Sequence, residues 1–142
     1  MIRFVNDPNK IDGLRVIQDP NEMEEALKNG ESFYHWEYGD SLSPLIESGE
    51  YVKITPCDIN EVKRGDCVFC VIEEDGMVLP MVHQVWEISD ASHSGELWFK
   101  IGSTHASIYG WTKKVYGIAK GTNIFHVREQ KMSETCENFE EN

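Results

Sequence analysis

The sequence predicts a mainly β fold: an antiparallel sheet coiled like a barrel, with one short N-terminal helix. Three observations predict it. Short alternating or wholly apolar runs recur at regular spacing from Tyr51 onward. The Asp75-Gly76 pair between two of those runs is a hairpin turn signal. Helix punctuation lies ahead of the runs, between Asp19 and Gly30.

The elements follow in chain order. Leu14 to Ile17 reads as a short strand. Asp19 caps the helix, Pro20 fits its first turn, Glu22 favours its positive end and Gly30 ends it. The pattern allows three turns at most, too little for a helix-turn-helix domain. Tyr51 to Thr55 alternates, Asp66 to Glu73 is mostly apolar, and Met77 to Ile88 returns from the turn. Glu96 to Ile101, Lys114 to Lys120 and Asn123 to Val127 complete the strands, with Gly121-Thr122 between the last two. The organisation is a lead-in over 1–35, a β domain over 36–128 and a tail over 129–142. The tail carries five acids, one base and no apolar stripe, which predicts disorder.

Composition narrows the function. The chain has 142 residues, enough for one domain, and 40% of them are apolar, enough for a core. A net charge of −12 leaves no basic surface to displace counterions, so nucleic acid is not an expected partner. The longest uncharged apolar run, Gly76 to Trp86, is shorter than a membrane span and holds Pro80 and His83. No secretory leader opens the sequence, and the expected location is the cytoplasm, without a membrane anchor. Free thiols are therefore expected. Cys67 and Cys70 have the spacing of a zinc knuckle, but they lie in an apparent buried strand where residues three apart face opposite ways. They read as buried small side chains, and no cofactor or metal is expected.

One constellation carries chemistry. In Tyr38-Gly39-Asp40-Ser41-Leu42-Ser43-Pro44, a serine follows a Gly-Asp corner and opens a short segment bounded by Pro44 and Gly49. Such a corner exposes a hydroxyl beside unpaired backbone N–H groups, which suits an acyl-transfer nucleophile. The same serine in isolation also reads as a simple helix-turn cap. Three further boxes follow: Lys63-Arg64-Gly65-Asp66-Cys67-Val68-Phe69, then Leu79-Pro80-Met81-Val82-His83-Gln84-Val85, then Gly117-Ile118-Ala119-Lys120-Gly121.

In order and spacing, over roughly residues 36 to 121, these boxes resemble the serine peptidase superfamily of type I signal peptidases and LexA-like self-cleaving repressors. The resemblance implies that fold, Ser41 as nucleophile and His83 as general base, as in the His-type signal peptidases. It implies an oxyanion site near the Ser41 N–H, and a protein or peptide segment bound in extended form along a strand edge. Leu42 stands where Met is usual and Glu50 where Asp is usual. The box that often supplies an acid appears as Gly102-Ser103-Thr104-His105. Ser103 is thus the residue placed to hold the imidazole, unless Asp40 or Glu87 reaches it. His35 and His105 are candidates to flank the site; His93 and His126 have no assigned role, and Trp36, Trp86, Trp98 and Trp111 read as packing.

Two functions fit. The first is a soluble serine peptidase with a Ser/His dyad. The second is a catalytically inactive member of the same fold acting as a protein-binding or assembly module, of a kind a phage or mobile element would encode. A LexA-like regulator would need a DNA-binding domain, which the lead-in is too short to supply. The Ala-Gly and Cys-Gly pairs at which self-cleaving relatives cut are absent from the sequence.

Overall fold

The computed structural model describes residues 3–5, 10–90 and 95–127. His93 and the tail at 129–142, Cys136 included, lie outside the described residues. Three short strands, β1 (Arg3–Val5), β2 (Lys10–Ile11) and β3 (Leu14–Arg15), precede the helix α1 (Pro20–Lys28). Then come β4 (Phe33–Trp36), β5 (Glu50–Pro56), β6 (Cys67–Glu74), β7 (Met77–Ser89), β8 (Trp98–Gly102), β9 (Ile108–Thr112) and β10 (Lys114–His126). The sheet order β4-β5-β10-β6-β7-β8-β9 is antiparallel throughout, and β1 joins β10 in parallel. The sheet is not closed, because β4 and β9 end it without pairing to each other. No helix among the described residues is long and apolar enough to cross a membrane.

Local chemistry accounts for the elements. Asp19 is the helix cap, its carboxylate accepting the Glu22 N–H at 3.0 Å, with Pro20 in the first turn. Asp75 and Gly76 both have positive φ, the two-residue hairpin turn that matches strand twist. β6 is buried from Cys67 to Ile72 because it lies between β10 and β7 with packing on both faces. Cys67 belongs to the cluster with Phe33, Phe69 and Leu27 of α1, whereas Cys70 belongs to the cluster with Phe99 and Ile101. Burial pushes the two thiols up to about 11 and about 12.

Three sequence readings change. Gly121-Thr122 does not separate two strands, since β10 runs unbroken with an irregular register against β5 between Gly121 and Phe125. Gly121 is needed there, because a Cβ would sit 2.5 Å from Glu50 Oε2. The strand expected over Leu14 to Ile17 shrinks to β3 and a single bridge from Val16 to Tyr34. β4 and β9 are strands that the sequence reading did not pick out. The helix is part of the main core, through Met23, Ala26 and Leu27.

The topology leaves one strand edge open beside the serine segment. β7 pairs with β6 from Met77 to Gln84, but with β8 only from Gln84 onward. Val85 exchanges both backbone bonds with Gly65 and Asp66 on the β6 side. By alternation, the backbone groups of Pro80 and Val82 face the unpaired side. Pro80, which has no N–H, suits such an edge. The corresponding edge of β4 is covered: Ile17 donates to the Tyr34 carbonyl, and the Gln18 amide bonds both backbone groups of Trp36.

Candidate active site

Ser41 lies in the irregular segment between β4 and β5, and His83 lies on β7 in register with Val68. The fold brings them together: Ser41 Oγ is 3.3 Å from His83 Nε2. That is near hydrogen-bond reach, and loose as unliganded sites often are. Both side chains are half-buried. Among the described residues, the Ser41 N–H has no backbone acceptor, which leaves it available to an oxyanion.

The serine segment is tied down at several points. Buried Leu42 anchors it in the main core. Gly49 donates to the Glu37 carbonyl at 2.7 Å, and Gly39 donates to Ser48 Oγ at 2.9 Å. Glu50 is only 5% exposed, and its carboxylate accepts the N–H of Glu47 and of Asn123, each at 2.9 Å. The turn after β8 grips the segment from the other side. Thr104 donates its N–H to the Ser41 carbonyl at 2.9 Å, its hydroxyl lies 2.5 Å from the Ser43 carbonyl, and His105 Nε2 reaches the Asp40 carbonyl at 3.1 Å. His105 thus flanks the site as expected.

Ser103 does not hold the imidazole. Its buried hydroxyl accepts the N–H groups of His105 and Ser107, each at 3.1 Å, and closes the turn. Asp40 meets this turn only through its carbonyl, and Glu87 faces Lys100 at 3.7 Å. His83 Nδ1 is buried with no hydrogen-bond partner among the described residues. The ring is held by packing instead, tilted against Tyr109 with centroids 4.5 Å apart. Burial pushes the His83 imidazole below its ordinary 6.5, and the carboxylate of Glu37 partly offsets that.

A hollow of about 30 Å³ opens next to Ser41, with His35, Leu42, Glu50 and Val82 in its wall. It adjoins a groove of about 400 Å³ whose floor includes Met23, Phe69 and Val82, beside Pro80 and Met81 of the open edge. His35 and Glu37 line both. His35 is one of the expected flanking residues; Glu37 is not among them, although two residues apart on an extended segment share one face. No group of His, Cys, Asp and Glu among the described residues is arranged to hold a metal ion.

Together these features define a mainly β protein in which a serine and a histidine from distant parts of the chain meet beside an open strand edge. No family model matches the chain, and no match was found among curated proteins or solved structures.

Proposed function

We propose that the chain is a slow serine peptidase of the signal-peptidase and LexA-like type, acting on a peptide segment in extended form. The observation that carries this reading is the 3.3 Å approach of Ser41 Oγ to His83 Nε2. The two residues are 42 positions apart, and the order of the sequence boxes gives a reason for them to meet. The open edge at Pro80 and Val82 supports an extended substrate, which would add to the sheet there. The hollow of about 30 Å³ suits a small side chain at the cleaved position.

In this reading His83 Nε2 takes the Ser41 hydroxyl proton as Oγ attacks the scissile carbonyl. The oxyanion forms toward the Ser41 N–H. His83 then gives the proton to the leaving amine as the C–N bond breaks. Water hydrolyses the acyl-serine, with the same nitrogen accepting its proton and returning it to Ser41.

Slow turnover follows from the other side of the ring. A bare Nε2 requires the neutral ring to carry its proton on Nδ1, which is buried without an acceptor. An unsatisfied buried donor costs about 1–3 kcal/mol. The imidazolium formed during attack bears the same cost. That orphan nitrogen is also what favours the second reading, a non-catalytic module that binds an extended partner segment at the same edge. Incubation with a peptide library followed by mass spectrometry separates the two. The peptidase reading expects new termini that vanish with Ser41→Ala; a chain that binds peptides and cuts none supports the module.

A further inference from the structure

Glu37 has no part in the hydrolytic steps, yet it lines both the hollow and the groove. Its setting is built. His35, only 5% exposed, places Nδ1 2.9 Å from the Ile17 carbonyl and Nε2 2.9 Å from Glu37 Oε2. With Glu37 ionised, the ring donates from Nε2 to its carboxylate. That contact fixes one carboxylate oxygen of Glu37 and leaves the side chain 53% exposed toward the cleft.

The charge around the two spaces is one-sided. The carboxylates of Glu37, Glu47 and Glu50 border the two spaces, and among the described residues no Lys or Arg lines either. Glu50 is buried and committed to two N–H groups, and Glu47 accepts the Ser43 hydroxyl at 2.8 Å. Glu37 borders the groove as well as the hollow, which Glu47 and Glu50 do not. Below it the groove offers Met23, Phe69 and Met81, an apolar bed for a methylene stem. A long side chain with an apolar stem and a cationic head matches this pairing, stem on the bed and head at the carboxylate.

We propose that the groove beside Ser41 receives a lysine or arginine side chain of the extended segment, with Glu37 as its specificity-determining residue. This rests on the reading that an extended segment lies along the open edge, and it does not require that the segment be cut.

The test uses the Ser41→Ala chain and fluorescein-labelled peptides with one central alanine. A lysine is walked through the four positions ahead of that alanine, and each peptide has a partner with uncharged norleucine in its place. Binding is read by anisotropy at low and high salt. At one position lysine should bind about tenfold tighter than norleucine, the scale of a single charge-assisted contact. High salt should shrink that advantage. Glu37→Gln should abolish it, and Glu37→Asp, which keeps the carboxylate, should retain part of it. Norleucine matching lysine at all four positions would overturn the proposal. So would a lysine advantage intact in Glu37→Gln, or no binding by any peptide. Cleavage without basic preference by the unmodified chain would leave the peptidase reading standing and remove this one. Lysine-selective binding without cleavage would do the reverse.

Discussion

His35 on β4 and His83 on β7 border the same serine from two walls of the cleft, and they are wired in opposite ways. His35 has an acceptor at each nitrogen, both at 2.9 Å. His83 has the Ser41 hydroxyl at one nitrogen and, among the described residues, no partner at the other. An imidazole between two acceptors is fixed in its orientation by both. An imidazole with one buried, unanswered nitrogen is held neutral, and burial lowers its proton affinity further. The lesson concerns roles. The anchored ring on β4 orients Glu37, whereas the ring on β7, its proton affinity lowered by burial, is poorly equipped to keep a proton.

The first way to break this comparison is to remove the His83 ring. If the chain is a peptidase as proposed, His83→Ala should lower the rate of peptide cleavage by about 10²–10⁴-fold, the usual worth of a positioned general base. An undiminished rate would mean that His83 is a bystander. The stability effects should run the other way. His35→Ala loses a buried ring and two hydrogen bonds, and should cost about 2–4 kcal/mol in urea unfolding. His83→Ala removes a half-buried ring with one long contact and should cost about 1 kcal/mol. Equal costs at the two positions would contradict the difference in wiring.

Ser103 sharpens the comparison from the vacant side of His83. Ser103→Ala leaves the His105 and Ser107 N–H groups without their acceptor, and should cost about 1–3 kcal/mol of stability. It should leave the pH profile of the folded fraction unchanged. A displaced profile would show that Ser103 orients the imidazole after all.

The smallest effect is in acid. Above 6.5 the His83 ring is neutral in both folded and unfolded chains. As pH falls through 6.5 the unfolded chain takes the proton first, because the folded value is depressed, so stability drops. The loss levels off below the folded value. Urea midpoints of His83→Gln should therefore fall less steeply than those of the unmodified chain as pH is lowered from about 7 to about 5. Parallel curves would place the two states of His83 in equivalent surroundings.

The parts legible in the sequence were those carried by several residues at once. The approach of Ser41 to His83 is legible because four boxes agree in order, and the β6–β7 hairpin because Asp75 and Gly76 combine a turn type with alternating flanks. β4 and β9 escaped because they are four and five residues long, and Gly110, at φ 144°, interrupts the second. Ser103 was misassigned for a different reason. A serine hydroxyl bonds to whatever its turn presents, and here the turn offers two backbone donors before the imidazole can claim it. Glu37 was hidden because a single carboxylate in an acidic chain carries no signal until its histidine partner is seen beside it.

Whether Ser41 is an activated nucleophile separates a peptidase from a binding module. Intact-mass analysis after exposure to a fluorophosphonate, with the adduct mapped by peptide fragmentation, measures that without knowledge of the substrate. The account predicts one adduct, on the peptide that carries Ser41, absent in Ser41→Ala and slowed in His83→Ala. A folded chain that remains unlabelled, or an adduct that persists in Ser41→Ala, would contradict it.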